Sequence, residues 1–183
     1  MQKTIHYQRT KNDEELKEIL VLQEKSSPQN ISPLEKKEEG FVTVQHSLTL
    51  LKKMHDACPH IVAKHHEKVI GYALCMLPKF KKEVPVLIPM FHEIDNELLL
   101  KKEPINYLVM GQICIDKTYR KQGVFRGLYH FMKQEVHNSF NAIITEVDVK
   151  NVRSSNAHKA IGFKELKTYT SNGQEWELIL LEV

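Results

Sequence analysis

The chain has 183 residues, 42% of them hydrophobic and 27% charged, a mixture that can bury a core and excludes a wholly disordered polypeptide. Its 26 Lys and Arg against 23 Asp and Glu leave a formal charge of +3, too small a surplus for a nucleic-acid footprint, although a local anion site is compatible with it. Three widely spaced cysteines (Cys58, Cys75, Cys114) argue against a disulfide framework and for a reducing cytoplasm, the first six residues lack the apolar run of a signal peptide, and no stretch reaches the ~20 apolar residues of a membrane span.

Residues 5–9 alternate apolar and polar side chains and predict a strand. Asn12 followed by Asp13, Glu14 and Glu15 is a capping-box arrangement, and Leu16, Ile19 and Leu20 then share one face, so a helix is expected over about 12–25. The Ser-, Pro- and charge-rich stretch 26–40 reads as a loop, with a helical turn around Leu34. Ser47 opens a second helix, with Leu48, Leu51, Met54 and Cys58 at three-to-four spacing and Pro59 ending it. Residues 61–64 and 69–77 form a hairpin across 65–68. The connection 78–104 is long; it holds the apolar run 86–91 and a helix near 91–99, and ordered insertions of this length often shape a pocket.

Residues 105–115 make a nearly continuous apolar strand broken at Gly111-Gln112, where an interior Gly predicts a bulge or a close approach. A helix over 123–138 has Val124, Leu128, Met132 and Val136 as its buried stripe, and 142–147 is a buried strand. A short helix over 154–161 is stopped by Gly162 in the left-handed position, and 163–170 with 175–181 close the chain as a hairpin over Ser171-Asn172-Gly173. The order β-α-α-β-β-β-α-β-α-β-β predicts an α/β (α+β layered) domain with a mixed sheet, one domain over residues 1–183.

Chemistry concentrates in Ile113-Cys114-Ile115-Asp116-Lys117-Thr118-Tyr119-Arg120-Lys121-Gln122-Gly123-Val124-Phe125-Arg126-Gly127-Leu128, a buried strand that runs through a basic turn directly into a helix. The N–H groups of a first helical turn lack partners and sit at the positive end of the dipole, so the turn suits a phosphate or pyrophosphate. Arg120, Lys121 and Arg126 add full charges. A single Gly with no Gly-Lys-Ser/Thr ending makes this neither a nucleotide P-loop nor a three-glycine dinucleotide fingerprint. Another stretch, Glu146-Val147-Asp148-Val149-Lys150-Asn151-Val152-Arg153-Ser154-Ser155-Asn156-Ala157-His158-Lys159-Ala160-Ile161-Gly162-Phe163, is also strand, turn, short helix and Gly-Phe.

Together these stretches resemble the GNAT superfamily of acyl-coenzyme A-dependent N-acetyltransferases. The basic turn is similar to that family's Arg/Gln-x-x-Gly-x-Gly/Ala pyrophosphate loop, with Arg120 and Gly123 in place. The later stretch is similar to its Asn-x-x-Ala-x-x-Leu-Tyr-x-x-x-Gly-Phe motif, with Asn151 and Gly162-Phe163 in place. The resemblance implies a mixed, mostly antiparallel sheet of six to seven strands with helices on both faces. It implies acetyl-CoA as cosubstrate, lying between two splayed parallel strands that end at Ile115 and Val147. The backbone of Ile113, Cys114 and Ile115 would hold the pantetheine arm and polarise the thioester carbonyl, an oxyanion-type role. The N–H groups of Gln122, Gly123, Val124, Phe125 and Arg126, with Arg120 and Lys121, would hold the pyrophosphate, and Asn151 and Ser154 would complete the cofactor side. The sequence departs from the family pattern: Phe125 replaces Gly or Ala, Ser154 replaces Ala, and His158 stands where many members have the Tyr that protonates the leaving thiolate.

Glu146 is the candidate base, because a carboxylate on a mostly apolar strand can have its pKa raised by desolvation; the alternative is a salt-bridged strand residue. His158 is the candidate acid, with a polar helix residue of no catalytic role as the alternative. Cys58, His60, His65 and His66 fit no zinc spacing, so no metal is expected, and Cys114 reads as packing rather than a nucleophile. His46 and Glu93 flank elements that could border an acceptor cleft. The expectation is a cytoplasmic acetyltransferase that moves the acetyl group to a primary amine by direct attack in a ternary complex. The alternative is a GNAT-fold acyl-CoA sensor without turnover. The acceptor is a small molecule or a peptide, with no nucleic acid and no membrane as partner, and a homodimer is compatible with the reading.

Overall fold

Local signals set the first elements of the computed structural model, which describes residues 4–32, 42 and 44–183. The helical turn expected around Leu34 lies outside the described residues. Strand β1 (Ile5–Arg9) leads to α1 (Asp13–Lys25), where the side chain of the N-cap Asn12 accepts from the Glu15 N–H. Ser47 caps α2 (Leu48–Ala57) in the same way, accepting from the Leu50 N–H. Strands β2 (Ile61–His65) and β3 (Lys68–Met76) form the expected hairpin, turning through His66 at φ 50°.

The insertion holds two 3-10 turns, Pro78–Phe80 and Pro85–Leu87, and then α3 (Ile88–Leu99). This helix, left out of the expected element order, starts three residues before the expected position 91. Pro89 lies in its first turn, where proline's missing N–H costs no intrahelical bond, so the proline opens the helix rather than interrupting it. Strand β4 (Tyr107–Ile115) begins two residues later than expected. Then come α4 (Val124–Val136), β5 (Ala142–Asp148) and α5 (Val152–Lys159). Helix α5 starts two residues before the expected position 154, because the Asn151 side chain accepts from the Ser154 N–H and is the N-cap. Strands β6 (Lys164–Ser171) and β7 (Gln174–Glu182) turn through Asn172 and Gly173, at φ 51° and 73°, the left-handed pair that matches hairpin twist.

The seven strands lie in the order β1-β2-β3-β4-β5-β7-β6, antiparallel except for the β4–β5 pair. Helices α1, α2 and α3 cover one face, through Leu16, Ile19, Leu51, Met54, Met90, Phe91 and Ile94. Helix α4 covers the other through Val124, Leu128, Tyr129, Met132 and Val136. This is the layered, mostly antiparallel sheet the resemblance implied. Among the described residues, no helix is long and apolar enough to cross a membrane.

Candidate active site

The site is built on a local failure of strand pairing. The parallel β4–β5 ladder runs from Tyr107–Ala142 to Val109–Ile144, and the Thr145 hydroxyl then donates to the Met110 carbonyl at 2.9 Å. Past that bond the strands part. On the other edge of β4, Gly111 and Gln112 together oppose the single β3 residue Leu74, the bulge expected from the interior glycine. A bulge bends its strand, which carries residues 111–115 away from β5. A cavity of about 750 Å³ fills the gap. Side-chain alternation places Ile113 and Val147 on the α4 face, and Glu146, like Ile144, on the α1–α3 face, so the cavity passes through the sheet from one face to the other.

Its α4-side mouth suits an anion. The 3-10 turn Lys117–Tyr119, capped by the Asp116 carboxylate, leads to Lys121 at φ 60° and Gly123 at φ 81°. The first helical bond of α4 runs from the Gly127 N–H to the Gly123 carbonyl at 3.0 Å, so the N–H groups of Val124, Phe125 and Arg126 precede the intrahelical ladder. Arg120, Lys121, Lys150 and Arg153 line this region, with the Arg120 Nε donating to the Ile115 carbonyl at 3.1 Å. One expectation, that Arg126 adds its charge to this mouth, is corrected in part. The Arg126 side chain lines a separate groove on the outer side of α4, and the Gln122 side chain donates to the Thr118 carbonyl at 2.8 Å. Both residues are left with their backbone groups for the loop. Asn151 and Ser154 both line the cavity, Asn151 with its side-chain carbonyl spent on capping α5.

Glu146 lines the opposite part of the cavity, and the Tyr169 hydroxyl donates to its Oε2. Burial pushes the Glu146 carboxyl up to about 7, against the Tyr169 hydrogen bond, which pulls it down. Among the described residues no Lys or Arg pairs with it, so the salt-bridged alternative is not what the structure shows.

His158 sits differently from expectation. It is 2% exposed and ringed by Phe125, Tyr129 and Phe163 at edge-on centroid distances of 5.0–5.4 Å. Its Nδ1 faces the Ser154 carbonyl at 2.8 Å, which puts the ring proton on Nδ1, and its Nε2 then accepts from the Tyr129 hydroxyl at 2.8 Å. Burial pulls its pKa down to about 4, so the ring is neutral at physiological pH. Its one proton is thus held by a carbonyl, its other nitrogen is occupied, and the ring forms part of the cavity wall.

The remaining candidates are held by other partners, though Cys114 also lines the cavity. Cys114 turns its sulfur to the Ser26 hydroxyl at 3.1 Å on the α1 side. His46 accepts from the Gln23 amide through Nδ1, and Glu93 pairs with Lys167 at 2.6 Å; neither lines the cavity. His60 takes the Cys75 N–H on Nδ1 and bonds the Leu51 carbonyl through Nε2. Among the described residues no group of three or more His, Cys, Asp or Glu could hold a metal ion. The insertion does shape the pocket, through Leu87 and Met90. Sequence reasoning missed Tyr169, Trp176, Lys150 and Arg153. Tyr169 and Trp176 face each other across the last hairpin, and Trp176 is also opposite Asp148 of β5, a register that no local pattern announces.

A family model for the acetyltransferase (GNAT) family matches residues 26–163. No curated protein matches the chain in sequence. Solved structures of similar fold include a chain of the NatC complex bound to Gag peptide and CoA, with TM-score 0.66 and 16% identity over 98% of both chains. The ribosomal-protein-S18-alanine N-acetyltransferase from Escherichia coli has TM-score 0.62 and 11% identity over 98% of this chain and 94% of that one. Ard1 from Thermoplasma volcanium has TM-score 0.65 and 12% identity over 98% of this chain and 97% of that one.

Proposed function

The chain belongs to the GNAT acetyltransferase family, which uses acetyl-CoA, and from that premise we propose that residues 1–183 form one N-acetyltransferase domain moving the acetyl group directly to a primary amine in a ternary complex. The observation that carries the reading is one cavity with a helix N-terminus and basic side chains at one mouth and a carboxyl of near-neutral pKa at the other. The residues present fit acetyl-CoA. The N–H groups of Val124, Phe125 and Arg126, left outside the intrahelical ladder, would take a pyrophosphate, and Arg120 and Lys121 would add charge. The β4 backbone over 111–115, parted from β5, offers amide groups along the gap for a pantetheine arm and a polarised carbonyl.

Glu146 takes the proton of the attacking ammonium, directly or through one water, so that the amine nitrogen can bond the acetyl carbon as the carbon–sulfur bond breaks. A pKa of about 7 suits that task, because the carboxylate is substantially populated at neutral pH and still basic enough to hold the proton. The departing thiolate has a pKa near the ~8.5 of a cysteine thiol and needs little help, which is consistent with a His158 that is committed elsewhere.

The test is the pH–rate profile of wild type against Tyr169→Phe. The Tyr169 hydroxyl stabilises the ionised carboxylate, so its loss raises the Glu146 pKa and moves the rising limb to higher pH. Turnover is expected to fall at pH 7 and to recover toward pH 9. The difference between the two profiles is the readout, since the acceptor ammonium titrates in both. Superimposable profiles contradict the assignment of Glu146 as base.

The anion mouth yields another expectation. Gly123 has φ 81°, and a Cβ there would meet nothing within 4 Å, so substitution acts through backbone conformation rather than collision. Gly123→Val is expected to keep the fold while cutting the acetyl-CoA-induced rise in Tm, which follows mass action on the folded state. An undiminished rise contradicts the pyrophosphate assignment.

A further inference from the structure

The acceptor end of the cavity has a composition of its own. Among the described residues, the cavity lining on the α1–α3 face includes Val42, Val44, Leu87, Met90 and Trp176, together with Gln112, whose amide accepts from the Tyr72 hydroxyl and donates to the Val44 carbonyl. Leu87 and Met90 are 8% and 2% exposed and pack with Met76, Ile144 and Leu178, so this wall is part of the core and is held in place by it. Pro85 opens the 3-10 turn that carries Leu87, and Pro89 opens the helix that carries Met90, which stiffens both positions. Trp176 closes the other side, beside Asp148 and on the same sheet face as Glu146 by the β5–β7 register.

Two physical consequences follow. A polar substituent next to the amine would be desolvated against Leu87 and Met90, and the Gln112 amide on this face is already engaged at both ends by Tyr72 and Val44, whereas an apolar substituent gains burial. A carboxylate next to the amine would sit on the face that carries Glu146 and Asp148, and like charges repel there. Resting on the acetyltransferase reading above, we propose that the acceptor is a primary amine carried on a large apolar group without an adjacent carboxylate. The group has the size of a Leu, Met or Phe side chain. That chemistry has two sources, the N-terminus of a polypeptide and a free alkyl- or arylalkylamine.

The test uses the full chain, acetyl-CoA and paired acceptors, with the acetylated product and free coenzyme A both measured. The pairs are a Leu-initiated against a Ser-initiated peptide of otherwise equal sequence, and isoamylamine against ethanolamine, with free leucine as a fifth acceptor. Within each pair the apolar member is expected to have the higher kcat/KM by about 10- to 200-fold, the range hydrophobic pockets achieve, and free leucine to fall well below the Leu-initiated peptide. A preference for the peptide pair over the amine pair identifies a polypeptide as the source, and the reverse identifies a free amine; either supports the inference. Leu87→Ser is expected to narrow the apolar-to-polar ratio about tenfold through KM. Trp176→Gln, at a half-buried position, gives the same readout should Leu87→Ser fold poorly. Equal kcat/KM for apolar and polar acceptors overturns this inference and leaves acetyl transfer standing. No acetylated product and no coenzyme A release with any of the five overturns the acetyltransferase reading on which it rests.

Discussion

Glu146→Gln is expected to lower turnover by about 100- to 10,000-fold, the usual range for loss of a general base, while acetyl-CoA still raises Tm as it does in wild type. The same substitution is expected to stabilise the free protein at pH 8. Burial raises the folded-state pKa from 4.5 to about 7, so the folded state binds this proton more tightly than the unfolded chain does. Below pH 4.5 both states are protonated and the site costs nothing. As pH rises from there the unfolded chain ionises first, and above about 7 the folded state holds a buried carboxylate at a cost of about 3 kcal/mol. Gln cannot ionise, and its carbonyl can still accept from Tyr169. The gain in Tm should therefore be absent at pH 4 and largest at pH 8. A variant that turns over normally places the base elsewhere, and one less stable than wild type at pH 8 contradicts the buried carboxylate.

His158→Ala is expected to destabilise the fold by about 2–5 kcal/mol, since it opens a cavity among Phe125, Tyr129 and Phe163 and strands the buried Tyr129 hydroxyl. His158→Phe restores the ring but not the acceptor. The double variant His158→Phe with Tyr129→Phe removes both partners and should recover stability relative to His158→Phe alone, an interaction energy that a thermodynamic cycle isolates. Turnover per folded molecule should change less than stability does. A loss of turnover in His158→Phe that His158→Tyr restores, at equal stability of the two, would return the residue to the role of proton donor.

How much was legible in the sequence depended on the range of each interaction. Asn12, Ser47 and the Asn172-Gly173 turn act within a few residues, and each marked its element correctly. Gly111-Gln112 announced the bulge, and the turn at 120–123 announced a helix start that opens on the cavity, because both signals are carried by backbone chemistry that neighbouring residues display. The start of α3 lay three residues before the expected position 91, within the apolar run 86–91, where Pro89 sits in its first turn. The burial of His158 was not legible for a different reason. The buried side of α5 is Ser155 and His158, while the apolar Val152 is exposed, so hydrophobic periodicity gives no sign of which side packs. Tyr169 reaches Glu146 only through the pairing of β7 with both β5 and β6, across 23 residues of sequence, and nothing local encodes that register. Glu146 itself was legible as a carboxylate on an apolar strand; its hydroxyl partner was not.

Direct acetyl transfer is tested most plainly by a single-turnover experiment, with the chain in excess over acetyl-CoA, a Leu-initiated peptide and isoamylamine present, and both acceptors and protein followed by mass spectrometry. Direct attack requires one acetylated amine for each coenzyme A released and a protein that stays unmodified throughout. Release of coenzyme A with free acetate or an acetylated protein in place of acetylated amine would overturn it.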